Sequence, residues 1–183
     1  MQNANPGACC RANNPRAVGY SLLDQRHHFV SSRAVSVSNF FTYSDPWFLH
    51  WALLVLRIFL GICFVIHGLG KLGLVGPGNM SGFTGWLKSL GVPFPALQAR
   101  AAMLTEIFGG AFIACGLFTR VAALFCLFIM MVAVAVGHKG GGYLITNNPP
   151  GNEYAVNLAM LMVVLMLLGP GHFSLDFLLF ASR

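Results

Sequence analysis

The feature that most limits what this chain can become is the run of apolar segments after Trp47. Four stretches, Trp47–Leu69, Ala101–Phe118, Val121–Gly137 and Glu153–Leu168, are built mainly from Leu, Ile, Val, Phe, Ala and Met and hold very little charge. A helix crosses the hydrocarbon layer with about 20 apolar residues, and the lower limit is near 17. The third and fourth stretches sit close to that limit. They reach across a thin layer with little tilt, or by recruiting the Gly and Pro residues beside them. A single such stretch is also what the core helix of a soluble protein looks like. Four in succession point instead to an all-α integral membrane protein, a bundle of four crossing helices. The connection at Thr119–Arg120 is so short that the second and third helices must be antiparallel neighbours.

Composition agrees. Only 9% of residues are charged and the mean hydropathy is +0.70, whereas a soluble domain carries roughly 25% charge. The polar residues concentrate in residues 1–46, which hold Arg11, Arg16, Arg26 and Arg33 with many Asn and Ser. This extension is too poor in apolar residues to fold alone. It is read as a partner-bound tail, and residues 47–183 as the membrane domain. The expected partners are other membrane-protein subunits, met through the tail and the helix faces, and the bilayer itself. No apolar run opens the chain, so the first crossing helix is expected to act as an uncleaved insertion signal. The tail arginines, Arg120 and Arg183 outweigh Lys71, Lys88, Arg100 and Lys139, which favours cytoplasmic N- and C-termini in a bacterial inner membrane. The net charge of +6 suits anionic lipid headgroups. No basic-aromatic patch argues for nucleic acid.

Between the first two spans, Phe83, Trp86, Leu87 and Leu90 fall at helical spacing. Gly91-Val92-Pro93-Phe94-Pro95 then breaks the pattern. This predicts a short amphipathic helix lying at the membrane interface, where Trp is favoured.

Against this apolar background the buried polar residues stand out. Glu106 is the only charge in Ala101–Thr119. A lone carboxylate near the bilayer centre costs about 2.5 kcal/mol or more, so it should face protein or water and have a partner. On the first helix, Arg57, Gly61, Phe64, Gly68 and Lys71 share a stripe. On the second, Ala102, Glu106, Gly109, Gly110 and Ile113 share another, and the small residues allow close approach. Counting about 1.5 Å per residue, Glu106 falls between Arg57 and His67 in depth. Arg57 is the expected partner, because its guanidinium stays charged on a long stem. Such a pair can simply fix helix packing, line a quinone or substrate site, or belong to a proton path.

His138, Glu153 and Asn157 flank the last loop, on the same membrane side as His67 and Lys71. The candidate polar cluster is therefore Arg57, His67, Lys71, Glu106, His138, Glu153 and Asn157. No ligand spacing marks a metal site. Cys63, Cys115 and Cys126 stand singly and no C-x-x-C occurs, so a dithiol oxidoreductase lacks its working pair. No nucleotide or dinucleotide motif is present. No cofactor is evident, and contact with quinone, lipid or pigment stays open. Gly169-Pro-Gly-His172 reads as a helix stop and Ser174-Leu-Asp176 as a new cap.

Arg57-Ile-Phe-Leu-Gly61, His67-Gly68, Lys71-Leu72, Glu106-Ile-Phe-Gly109-Gly110, Gly116-Leu-Phe-Thr-Arg120, Gly169-Pro-Gly171 and Ser174-Leu-Asp176 resemble, in order and spacing, the DoxX family. The resemblance covers about residues 47–180. It implies a four-helix inner-membrane bundle, and some relatives are subunits of thiosulfate:quinone oxidoreductase. Arg57, His67, Lys71, Glu106 and Glu153 match the family pattern. The reading that follows is an accessory, stabilising subunit of a larger electron-transport or photosynthetic membrane complex. The alternative is a quinone-reactive subunit of a membrane oxidoreductase.

Overall fold

A computed structural model describes residues 46–181, and every regular element among them is helical. The polar extension, with its expected tail contacts, lies outside the described residues.

Helix α1, Pro46–Leu72, opens with a proline and runs without interruption through the first apolar stretch. Helix α2, Met80–Ser89, is the predicted amphipathic helix. Asn79 starts it, its side chain accepting a hydrogen bond from the Gly82 amide at 2.7 Å, as an N-cap does. Gly91, at φ +76°, ends it. Helix α3, Pro95–Leu104, has proline in its first turn, where a missing N–H costs nothing. It continues through a π-helical turn, Thr105–Gly109, into α4, Gly110–Cys115. This helix starts six residues before the predicted span, because Pro95 nucleates it. It stops three residues early, because Gly116 adopts the left-handed conformation that terminates helices. Helix α5, Thr119–Val132, ends in a second π-helical turn, Ala133–Gly137. Helix α6, Glu153–Leu168, has the predicted bounds.

The core lies where α1, α4, α5 and α6 meet. Leu60, Phe64, Ile113, Cys126, Met162 and Leu165 are fully buried there. α1 packs on α4 and on the π-helical turn before it, α5 packs along α6, and α2 lies on α3. The small-residue stripes are what let α1 approach. A Cβ on Gly61 would stand 2.5 Å from the Gly110 carbonyl oxygen and 2.6 Å from the Ala114 Cβ. One on Gly110 would stand 2.7 Å from the Gly61 carbonyl oxygen.

The outward faces are as apolar as the core. Phe59, Phe128 and Leu167 are 68%, 64% and 74% exposed. α1 and the continuous helix Thr119–Gly137 are both long and apolar enough to cross a membrane, and α6 is a shorter apolar helix. A chain that turns its phenylalanines and leucines outward along whole helices is built for a lipid solvent.

Candidate functional site: a polar pocket at the end of α1

Glu106 lies in the π-helical turn and is buried. Turns of this kind shift the helix register by one residue and often occur at functional sites. Here Glu106 and Gly110 turn toward α1. Gly109 turns toward α5, where a Cβ would stand 2.7 Å from the Cys126 sulfur.

The partner of Glu106 is Lys71, with Nζ 2.5 Å from Oε2. The expected Arg57 contact is corrected. Helix register explains the change. Gly61 packs at Gly110–Ala114, and Gly68 packs against Met103 and Ile107. Glu106 is therefore level with Gly68, one turn before the end of α1, and Arg57 lies roughly 16 Å back along the same helix at 1.5 Å per residue. Helical side chains lean toward the N-terminus, so Lys71 reaches back into the protein from the helix end. Arg57 is itself buried and donates through Nη2 to the Phe173 carbonyl oxygen. It thereby ties α1 to the segment after α6.

Lys71 and His67 line an open groove of about 430 Å³ at the α1–α2 corner, walled mainly by apolar surface that includes Phe83 and Trp86, with Asn79 beside them. The Lys71 ammonium sits 4.9 Å from the Phe83 ring centroid, and Phe83 stacks on Trp86 at 5.8 Å. Trp86 is held by the far end of α5, where a Cβ on Gly137 would stand 3.0 Å from the indole. His67 is oriented from both sides. Its Nδ1 lies 2.9 Å from the Cys63 carbonyl oxygen. A carbonyl only accepts, so Nδ1 is the donor in this contact. The ring stacks on Tyr154 at 5.3 Å, whose hydroxyl is 2.7 Å from the Cys63 sulfur. The pocket thus gathers a cation neutralised from behind by a buried carboxylate, an imidazole of fixed orientation and two stacked aromatic rings.

The other proposed cluster members are employed elsewhere. His138 Nδ1 lies 3.3 Å from the Pro150 carbonyl oxygen. Glu153 accepts from the Ile145 amide at 3.2 Å. Asn157 accepts from the Tyr143 hydroxyl at 3.3 Å. These three organise the α5–α6 loop. Among the described residues no three His, Cys, Asp or Glu gather as metal ligands.

Sequence reasoning did not place Cys63 or Phe83 at the pocket. Phe83 was legible as a wall, since it shares a face of α2 with Trp86. The contact of Cys63 with Tyr154 spans two helices and leaves no local signal. The role of Asp176 was also missed. Its two oxygens accept from the amides of Phe118 at 2.6 Å and Thr119 at 2.8 Å, capping α5. Ser174 does act as the predicted cap, accepting from the Phe177 amide at 3.1 Å.

Fold and site together define a helical membrane protein with an open groove at the end of α1 that holds a lysine and a histidine among apolar walls. The DoxX family model matches residues 52–139. Inner membrane protein YphA of Escherichia coli (strain K12) is 32% identical over 130 residues, covering 68% of this chain and 87% of that protein. Uncharacterized membrane protein Rv3486 of Mycobacterium tuberculosis is 29% identical over 136 residues, covering 68% of this chain and 79% of that protein. The chain belongs to the DoxX family. No solved structure matches it significantly.

Proposed function

We propose that this chain is a membrane subunit of an inner-membrane oxidoreductase. It crosses the bilayer four times, through α1, the continuous Pro95–Cys115 helix, Thr119–Gly137 and α6, with both termini cytoplasmic. At the non-cytoplasmic end it receives the ring of a quinone. One observation carries the reading: Lys71, paired with buried Glu106, shares a groove with His67, Phe83 and Trp86.

The chemistry of that set suits the substrate. A quinone becomes a quinol by taking up two electrons and two protons. The Lys71 ammonium can donate to one carbonyl oxygen and stabilise the charge that develops on it. Nε2 of His67 can take up and return a proton. Phe83 and Trp86 offer a flat apolar wall to the ring. The electrons come from a partner subunit, which is where the polar extension and the accessory role enter. A purely stabilising subunit would need the Lys71–Glu106 pair but not the groove beside it.

The experiment is Glu106→Gln in the assembled complex. The amide keeps the shape and a hydrogen bond to Lys71 but removes the charge that balances it. Quinone reduction should fall by about tenfold or more, with assembly unchanged by gel filtration. Unchanged turnover would remove the pair from the reaction.

A further inference from the structure

The loop between α5 and α6 carries an arrangement that the pocket does not use. Tyr143, Leu144 and Ile145 project three apolar side chains in a row, 51%, 54% and 47% exposed. A loop tip in water is ordinarily polar, because its backbone also needs solvent to satisfy it. This one satisfies much of its backbone from within. The Leu144 carbonyl accepts from the amides of both Asn147 and Gly151, at 3.1 and 3.0 Å. The Tyr143 carbonyl accepts from the Glu153 amide at 2.8 Å. The Ile145 amide donates to the Glu153 carboxylate at 3.2 Å. Below the tip, the Asn147 side chain donates to the Gly141 carbonyl at 2.7 Å, and the Asn152 amide donates to the Gly142 carbonyl at 3.0 Å. Two side chains of α6, Glu153 and Asn157, are thus spent on holding an apolar tip in one shape.

Internal satisfaction of backbone groups is what a low-dielectric surrounding demands. The charge at the base of the loop points the same way. Lys139 is exposed where the loop leaves α5, and Lys88 is exposed on α2. Cations near an apolar edge that carries a tyrosine are the residue types that suit the phosphate layer and the acyl boundary beside it.

We propose that residues 140–151 form a membrane-dipping loop. Its Tyr143–Leu144–Ile145 tip enters the headgroup–acyl boundary of the leaflet at the pocket end, and Lys139 lies at the lipid phosphates. The occupant of this surface is anionic phospholipid. The loop then works with α2 as a second interfacial anchor and keeps the pocket mouth at headgroup depth, where an amphipathic substrate arrives from the bilayer. The inference rests on the four-crossing reading above.

Two tryptophan variants in phospholipid nanodiscs test both, each read as added emission over the native tryptophans. Leu144→Trp should give blue-shifted emission that is mostly lost with lipids brominated near the carbonyl, and largely retained with aqueous acrylamide. Phe128→Trp, on the outward face of α5, should be quenched most by lipids brominated deep in the chain. Added emission from Leu144→Trp that yields to acrylamide and ignores brominated lipid would place the tip in water and overturn the loop proposal. Shielding from both quenchers would mean that protein covers the tip, and overturns it equally. Phe128→Trp unquenched by any brominated lipid would overturn the crossing itself, which separates the two failures.

Discussion

Lys71→Met is expected to destabilise the protein by about 3 kcal/mol or more, because it leaves Glu106 buried without its counter-charge. The carboxylate is almost wholly enclosed, whereas the lysine side chain retains 17% exposure at the pocket. The loss is therefore concentrated on the acid. Replacing both residues, Lys71→Met with Glu106→Met, should recover most of that stability, since an apolar pair of similar volume avoids the desolvation of two ions. Reversible unfolding in mixed micelles reads both variants. A double variant as unstable as Lys71→Met alone would show that the pair holds the helices by shape and not by charge. Quinone reduction should be lost in the double variant even where stability returns, which separates the pocket's chemistry from its packing.

The second large effect is expected at the opposite end of the helices. Asp176→Ala removes the acceptor of two backbone amides at the start of α5. Phe118, one of those donors, is held at φ +46°, a conformation that costs a non-glycine residue about 1 kcal/mol or more. The segment is also pinned by the Asp176 amide, which donates to the Gly116 carbonyl at 2.8 Å, and by Arg57 on Phe173. Charged hydrogen bonds contribute about 1.5–3 kcal/mol each. A loss of about 3 kcal/mol is expected, read by the same unfolding titration. Asp176→Asn keeps one acceptor oxygen and should lose about half as much. Equal losses for Ala and Asn would show that charge near Arg57 matters more than the cap.

Much of this fold is legible in the sequence because lipid imposes simple rules. Long apolar runs and the amphipathic spacing after Gly82 give most element positions, but the ends of the second stretch, set by Pro95 and Gly116, fall six residues earlier and three residues earlier than the apolar run suggests. The stripe Gly61, Phe64, Gly68 and the facing residues Glu106 and Gly110 give the contact between α1 and the Pro95–Cys115 helix, whereas Gly109, on the same predicted stripe, faces α5. The pairing within that contact was not legible. Depth counted from span ends leaves an error of a turn or more, and a long side chain at a helix end reaches back by a further turn. That combination exchanged Arg57 for Lys71. The cluster of seven residues failed to gather for a related reason. His138, Glu153 and Asn157 lie at the right end of the helices, but the loop between α5 and α6 has its own backbone to satisfy and takes their polar atoms. The Asp176 cap joins residues 57 positions apart, a separation at which no periodicity survives.

Photolabelling reads the occupant of the groove beside Lys71. A short-chain azidoquinone irradiated with the purified membrane complex, then mapped by mass spectrometry, should label residues between His67 and Trp86. Excess unlabelled quinone should abolish that label, and Glu106→Gln should weaken it. Labelling confined to the outward faces of α5 and α6, or labelling between His67 and Trp86 that unlabelled quinone does not reduce, would contradict the assignment.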